Sequence, residues 1–215
     1  MGIRAEHVVW DWNGTLLADN DAVLAAVNRV CADFGHTTAV TLDQWREVFA
    51  RPVKDCYERL LGRPLSAVDW ARVDRLYHHE YRSLLHGVGL AHGVPDLLLP
   101  LRQTQSLLSM WFHDELVPLV TGFGLHDLFT RVDGLRAPDP GGNSKAEHLA
   151  AHLDAQRLRP QDVLVIGDVL DDADAARAVG AQVVLVATGT SSRRVLRSAG
   201  VPVADSIPEA LTHLA

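Results

Sequence analysis

Carboxylates follow two of the most apolar runs in this 215-residue chain. Asp11 comes directly after Val8 to Trp10, and Asp168 comes directly after residues 163–167. Continuous apolar runs of this kind are typical of strands buried on both faces of a parallel sheet. Since the carboxyl ends of parallel strands converge on one crevice, we expect the two carboxylates to lie close together. Such oxygen ligands suit Mg²⁺, so the pattern predicts a magnesium site.

Two further side chains have types suited to binding a phosphoryl group beside these carboxylates. Ser109 ends another apolar run, and Lys145 begins a predicted helix. Lys145 is one of only two lysines, whereas the chain has 18 arginines. A compact ammonium fits between a phosphate and a carboxylate better than a planar guanidinium does. Asp172 is its expected carboxylate partner, and Asp171 is the alternative.

Apolar periodicity places these residues on alternating strands and helices. Strands are predicted at 7–12, 105–110, 162–167 and 182–187, and helices at 114–124, 144–153, 173–180 and 191–200. This alternation predicts an α/β fold, with a Rossmann-like parallel sheet and helices on both of its faces.

The interval 18–90 interrupts the alternation because its apolar patterns are helical. Thr41, followed by Gln44 at the third helical position, and Ser66 are predicted helix N-caps. We expect residues 1–17 and 91–215 to form a core domain, with 18–90 as a small all-helical cap domain inserted after the first strand. Arg51, between two cap helices, is a candidate for contacting a second anion on a substrate. A solvated loop arginine is the alternative.

Composition narrows the class of partner. The chain is 47% hydrophobic and 22% charged, as in ordinary globular proteins. A formal net charge of −7 without a Lys/Arg cluster argues against nucleic-acid binding. No apolar stretch approaches the roughly 20 residues that span a bilayer, and the N-terminal residues lack a secretory pattern. These features predict a cytoplasmic monomer or homodimer that acts on a small molecule away from membranes.

The ordered motifs resemble those of the haloacid dehalogenase-like (HAD) hydrolases, and the resemblance covers essentially the whole chain. The first HAD motif, D-x-D-G-T, is matched by Asp11-Trp12-Asn13-Gly14-Thr15, and the later motifs by Ser109, Lys145 and Gly167-Asp168-x-x-x-Asp172. The resemblance implies a phosphatase similar to phosphoglycolate phosphatases, acting on a small phosphorylated metabolite. It further implies Asp11 as the nucleophile, with Mg²⁺ held by Asp11, Asp168 and the backbone carbonyl of Asn13.

The same resemblance implies the groups that bind phosphate. Gly14 and Thr15 would shape a turn whose backbone N–H groups face the phosphate. The Ser109 hydroxyl and the amide of Met110 would bind another phosphoryl oxygen, while Lys145 would neutralise its charge.

Asn13 is the main departure from the family pattern. Family phosphatases have an aspartate there that protonates the leaving oxygen and later activates water, whereas an amide cannot transfer a proton. Losing such help costs about 10² to 10⁴ in rate, which predicts a slow phosphatase that Asn13→Asp would accelerate. A protein that binds a phosphate ligand without turnover is one alternative. Hydrolysis at a carbon-halogen or carbon-phosphorus bond, with Lys54 as the only cap lysine, is another.

Overall fold

A parallel sheet of six strands forms the centre of the protein, in a computed structural model that describes residues 2–137 and 144–215. The strands, in chain order, are β1 (His7–Trp10), β2 (Thr104–Phe112), β3 (Val132–Leu135), β4 (Val163–Gly167), β5 (Gln182–Val186) and β6 (Val203–Ala204). Their order across the sheet is β3-β2-β1-β4-β5-β6, and every neighbouring pair runs parallel. The chain builds one side outward from β1 and then returns to β4 to build the other. Such a reversal opens a crevice beyond the carboxyl ends of β1 and β4.

Strand β1 is buried on both faces, which explains its continuous apolar sequence. Val8 and Trp10 belong to the hydrophobic cluster on one face of the sheet, and Val9 belongs to the cluster on the other. This alternation follows from the pleat, in which successive side chains point to opposite faces. Helices contribute to both clusters, so the predicted α/β class with a Rossmann-like parallel sheet is confirmed.

The described residues contain ten α-helices and three short 3-10 helices. The α-helices are α1 (Asn20–Asp33), α2 (Leu42–Val48), α3 (Val53–Leu61), α4 (Ala67–Leu84), α5 (Val94–Leu98), α6 (His113–Gly122), α7 (Lys145–Ala155), α8 (Leu170–Val179), α9 (Arg193–Arg197) and α10 (Ile207–Leu211). The 3-10 helices are Leu85–Gly87, His126–Leu128 and Pro160–Asp162. None of the helices in the described ranges has the length and apolar character required to cross a membrane.

Helices α1 to α4 form a continuous helical segment, residues 20–84, that contains no strand. The hydroxyl of Thr41 accepts a hydrogen bond from the Gln44 backbone N–H at 3.2 Å, and that of Ser66 accepts one from Asp69 at 3.1 Å. Both predicted N-caps are therefore confirmed, each as a reciprocal capping box. The chain enters and leaves the segment at one place, since Leu17 and Leu90 form an antiparallel bridge.

Two strands and one strand end differ from the sequence prediction. The edge strands β3 and β6 were not predicted, because β3 includes Asp133 and Gly134 and β6 has only two residues. Strand β2 continues to Phe112, past the predicted end at residue 110, and its pairing with β3 is irregular beyond Leu108. Ser109 therefore lies within β2, at the start of this irregular stretch, rather than at its end.

Candidate active site

Three buried carboxylates meet at the crevice beyond β1 and β4. Oxygen atoms of Asp11, Asp168 and Asp172 lie within 4.8 Å of one another. The ammonium of Lys145 donates hydrogen bonds to Asp11 Oδ1 and to Asp172 Oδ1, each at 2.6 Å. Asp172 is therefore the side chain that pairs with Lys145. Asp171 instead lies near the Lys145 backbone N–H, at 3.3 to 3.4 Å.

Burial and charge shift the pKa values of Asp11, Asp168 and Lys145. Burial raises the pKa of Asp11 to about 6 despite the opposing charge of Lys145. Burial, with Asp11 and Asp172 nearby, raises the pKa of Asp168 well above its usual value. For Lys145, burial acts to lower the pKa, but the two carboxylates overcome it and raise the pKa. Three carboxylates thus face one ammonium, and this excess of hard, negatively charged oxygen atoms fits a divalent cation such as Mg²⁺.

Two glycines allow the backbone to approach Asp168 closely. A Cβ on Gly14 would lie 2.6 Å from Asp168 Oδ2, and Gly14 also has a φ of 72° that favours glycine. A Cβ on Gly189 would overlap the same carboxylate. The neighbouring Thr190 donates hydrogen bonds to Asp168 Oδ2 from its backbone N–H at 2.7 Å and from its hydroxyl at 3.1 Å. These contacts fix the orientation of the Asp168 carboxylate.

The Asn13 amide is held by hydrogen bonds on both of its ends. Its Nδ2 donates to Asp19 Oδ2 at 2.9 Å and to the Tyr81 hydroxyl at 2.7 Å. Tyr81 in turn donates to Asp19 Oδ2 at 2.6 Å, and the Ser109 hydroxyl donates to Asn13 Oδ1 at 3.3 Å. Burial raises the pKa of Asp19, while the hydrogen bonds from Tyr81 and Asn13 act against that rise. An amide satisfies this network because it donates toward Asp19 and accepts from Ser109.

The backbone N–H groups of the turn after Asn13 were expected to face a phosphate, and they do not. The Gly14 N–H donates to Asp19 Oδ1 at 2.7 Å, and the Thr15 N–H donates to the Trp12 carbonyl at 3.3 Å. These two N–H groups are used inside the turn and are not directed at a phosphate. The turn closes on itself because Asp19 accepts the Gly14 amide, a partner that the sequence alone did not indicate.

A cavity of about 230 Å³ lies between the helical segment and the carboxyl edge of the sheet. Its lining includes the predicted site residues Asp11, Asn13, Arg51, Ser109, Met110, Lys145, Asp168 and Asp171. Thr15 and Asp172 are fully buried and do not line the cavity. Lys54, the lysine of the helical segment, is also absent from the lining, and its Nζ lies 3.5 Å from Glu58 Oε1.

Aromatic side chains form much of the remaining wall. Arg51 Nε lies 3.2 Å from Asp171 Oδ2, so its charge is already paired inside the cavity. The aromatic lining residues are Trp45, Phe49, Tyr57, Trp70, Tyr77, Tyr81, Trp111 and Phe112.

Sequence reasoning missed Asp19, Tyr81 and Thr190. Thr190 follows β5, so the rule that strand ends carry site residues could have found it. Asp19 and Tyr81 are 62 residues apart and meet only through the packing of the helical segment, for which local sequence gives no signal.

Comparison with known proteins assigns this arrangement to a family. The family model described as haloacid dehalogenase-like hydrolase matches residues 8–186. The chain belongs to this family. The match includes both strands that present the carboxylates and the whole helical segment.

Individual relatives of this HAD hydrolase agree with that assignment. A phosphoglycolate phosphatase of Synechococcus elongatus is 29% identical over 199 residues, which cover 90% of this chain and 89% of that protein. A haloacid dehalogenase-like family hydrolase from Streptococcus pneumoniae has a TM-score of 0.81 at 18% identity, covering 97% of this chain and 98% of the other. A predicted phosphatase from Clostridium acetobutylicum has a TM-score of 0.80 at 17% identity, with 97% of each chain covered. At these identities the two structural matches establish the fold alone.

Proposed function

We propose that this HAD hydrolase is a Mg²⁺-dependent phosphatase that hydrolyses a small phosphorylated metabolite through an aspartyl-phosphate on Asp11. The observation that carries the proposal is the Lys145 ammonium, held 2.6 Å from both Asp11 and Asp172 beside the buried Asp168. A lysine that lies buried among three carboxylates and lines a cavity gives a nucleophile and a counter-charge in one place. The phosphoglycolate phosphatase relative supports a phosphate ester as the substrate class.

The chemistry divides between attack and charge neutralisation. An Asp11 oxygen would attack phosphorus, and the bond to the ester oxygen would break with its electron pair on the leaving group. Water would then attack phosphorus and release phosphate and the Asp11 carboxylate. Lys145 would hold negative charge on the phosphoryl oxygens, helped by the Ser109 hydroxyl and the Met110 amide. Mg²⁺, held by Asp11, Asp168 and the Asn13 carbonyl, would supply the positive charge that lets a carboxylate meet a phosphate dianion.

The helical segment would act as a lid over this reaction. We assign residues 1–17 and 91–215 to the core domain and 18–90 to the cap domain. The bridge between Leu17 and Leu90 supports this division, because it places the two connections side by side. Residues from the segment line the same cavity as Asp11, so closure would exclude water from the nucleophile.

Asn13 supports a second candidate, a protein that binds a phosphate ligand without turning it over. Asn13 itself cannot carry a proton, and the neighbouring Asp19 carboxylate accepts hydrogen bonds from Asn13, Tyr81 and Gly14. Burial and the adjacent Asp19 raise the pKa of Tyr81 far above its usual value, so its hydroxyl is not a proton source. Under this candidate a phosphoenzyme would either not form or not hydrolyse.

Hydrolysis of p-nitrophenyl phosphate with Mg²⁺ and with chelator tests the proposal. We expect activity that requires Mg²⁺ and is lost in Asp11→Asn, with Asp174→Asn as the matched surface control. Activity that survives chelation or Asp11→Asn would overturn the assignment. A radiolabelled phosphoenzyme that forms and persists for hours would favour the binding protein instead. Release of halide from a haloalkanoate, or of aldehyde from a phosphonate, would instead indicate hydrolysis at a carbon-halogen or carbon-phosphorus bond.

A further inference from the structure

Beyond the buried carboxylates, the wall of the cavity is largely aromatic. Helix α4 supplies Tyr77 and Tyr81, whose rings stack with centroids 5.7 Å apart and planes 7° apart. Strand β2 supplies Trp111, which meets the Tyr81 ring edge-on at 5.0 Å. Trp70 and Phe112 extend this wall. Aromatic walls of this kind bury a planar ligand by stacking and edge contacts, worth more than area burial alone.

Charge in the same cavity disfavours a second anion on the substrate. Lys145 and Arg51 are the lysine and arginine among the described lining residues, and both are paired. Lys145 contacts two carboxylates, and Arg51 lies 3.2 Å from Asp171. The wall also carries the carboxylates of Asp19 and Asp74. A carboxylate on the organic part of a substrate would therefore meet the carboxylates of Asp19 and Asp74, and Arg51, the arginine on this wall, already has its charge partly offset by Asp171.

Asn13 restricts the leaving group. When the phosphorus-oxygen bond breaks, the departing oxygen keeps the electron pair and takes its proton from solvent, because no acid stands at position 13. A phenolate leaves without protonation far more readily than an alkoxide does. The pKa of a phenol is about 10, whereas that of an alkyl alcohol is close to that of water, about 16. The missing acid and the aromatic wall thus select the same kind of molecule.

We infer that the substrate is an aryl phosphate: a phosphate monoester of an uncharged aromatic alcohol, with its ring against Tyr77, Tyr81 and Trp111. This inference rests on the proposed function and narrows its substrate class. The sequence predicted that Arg51 contacts a second anion on the substrate. Under this inference Arg51 instead stays paired with Asp171.

Four esters separate the two parts of the inference. With the full chain and Mg²⁺, kcat/KM is measured for phenyl phosphate, benzyl phosphate, ethyl phosphate and phosphoglycolate. Benzyl and ethyl phosphate both release alkoxides, so we expect benzyl to exceed ethyl by at least about 10-fold through the apolar wall alone. Phenyl and benzyl phosphate both carry a ring, so we expect phenyl to exceed benzyl by at least about 10²-fold through the missing acid. Phosphoglycolate is expected to be the poorest of the four.

Each outcome decides between the inference and the proposed function. Hydrolysis that favours phosphoglycolate, or that does not prefer benzyl over ethyl phosphate, overturns the aryl phosphate and keeps the phosphatase. Failure to hydrolyse any of the four with Mg²⁺ overturns the phosphatase itself.

Variants of Tyr77 test whether the aromatic wall of the cavity causes the preference for benzyl over ethyl phosphate. Tyr77→Ala, with Tyr77→Leu as the smaller change, is expected to lower the benzyl-to-ethyl ratio at least about 5-fold. Leu99→Ala, at a residue 63% exposed and outside the cavity lining, is the control and should keep the ratio. Arg51→Met should lower activity toward phosphoglycolate no more than activity toward phenyl phosphate. A selective loss for phosphoglycolate would show that Arg51 contacts a second anion and would overturn the inference.

Discussion

Replacing Asn13 with aspartate would place a carboxylate oxygen next to Asp19 Oδ2, at the 2.9 Å now occupied by a hydrogen bond. At that separation and an effective dielectric constant of about 20, two negative charges repel by about 6 kcal/mol. The pair avoids this repulsion if one carboxylate takes up a proton. At pH 7, about three pKa units above the usual pKa of a carboxyl group, this costs about 4 kcal/mol, at about 1.4 kcal/mol for each unit. Proton uptake therefore sets the upper limit of the penalty.

We expect Asn13→Asp to lower the free energy of unfolding by about 2 to 4 kcal/mol at pH 7. The folded variant would bind one more proton than its unfolded chain, so its deficit grows as pH rises and shrinks toward pH 5. Urea unfolding with chelator, at several pH values between 5 and 8, measures this. Sequence alone predicts faster turnover for this variant, but the geometry reverses that expectation, because the new proton would be shared with Asp19 instead of facing the ester.

The compensating change is Asp19→Asn in the same chain, which restores one carboxylate and one amide. The double variant should recover stability to within about 1 kcal/mol of the parent. With benzyl phosphate, whose alkoxide needs a proton, its kcat should exceed that of the parent by at least about 10-fold. A single Asn13→Asp variant that is as stable as the parent and turns over 10-fold faster would refute the reasoning, since Asp19 and Tyr81 would then not constrain position 13.

Three further predictions follow from the buried charges. Lys145→Met leaves Asp11 without its ammonium and should lower kcat for phenyl phosphate by about 10² to 10³, measured at saturating Mg²⁺. Asp168→Asn removes one of three crowded carboxylates, so it should raise the melting temperature in chelator while weakening Mg²⁺ binding in calorimetry. Burial and the neighbouring His152 lower the pKa of His7 to about 4. The contribution of neutral His7 to the free energy of unfolding is therefore complete above the unfolded pKa of about 6.5. It is lost as pH falls toward 4, by up to about 3 kcal/mol. We expect His7→Gln to flatten this pH dependence in urea unfolding.

Each of these has a contrary outcome. A Lys145→Met variant with kcat within threefold of the parent, about 0.7 kcal/mol in barrier height, would remove that residue from charge neutralisation. An Asp168→Asn variant that melts lower in chelator would show that the carboxylates do not repel. An unchanged acid dependence in His7→Gln would assign it to another group, such as Asp133, whose pKa is lowered, against the effect of burial, by hydrogen bonds to His152 and Arg131.

The central fold and the carboxylates were predictable because strong local patterns encode them. Strands buried on both faces are continuously apolar, so β1 and β4 were found to within two residues of their ends. The edge strand β3 could not be found this way, since Asp133 and Gly134 interrupt its apolar pattern. The N-caps Thr41 and Ser66 depend on only four consecutive residues each, and both predicted caps were correct.

The finer parts of the site depend on packing that no local pattern reports. Asp171 and Asp172 are consecutive on α8, so they point about 100° apart, and only the rotation of the helix decides which one meets Lys145. The contact between Asn13 and Tyr81 joins residues 68 positions apart. Its existence turns on how α4 lies against the sheet, which is a property of the whole helical segment.

One loop connects the helical segment to the Asp168 carboxylate. Arg46 of α2 donates hydrogen bonds to the carbonyls of Thr188 and Gly189 at 3.2 and 2.8 Å, and the next residue, Thr190, holds Asp168 Oδ2. Any motion that draws α2 away from this loop breaks those bonds at the place where the carboxylate is oriented. If the helical segment is the lid and Asp168 binds Mg²⁺, as we propose, then cation affinity and lid position are thermodynamically linked. The linkage is reciprocal: an ion that prefers the oriented carboxylate also favours the closed lid.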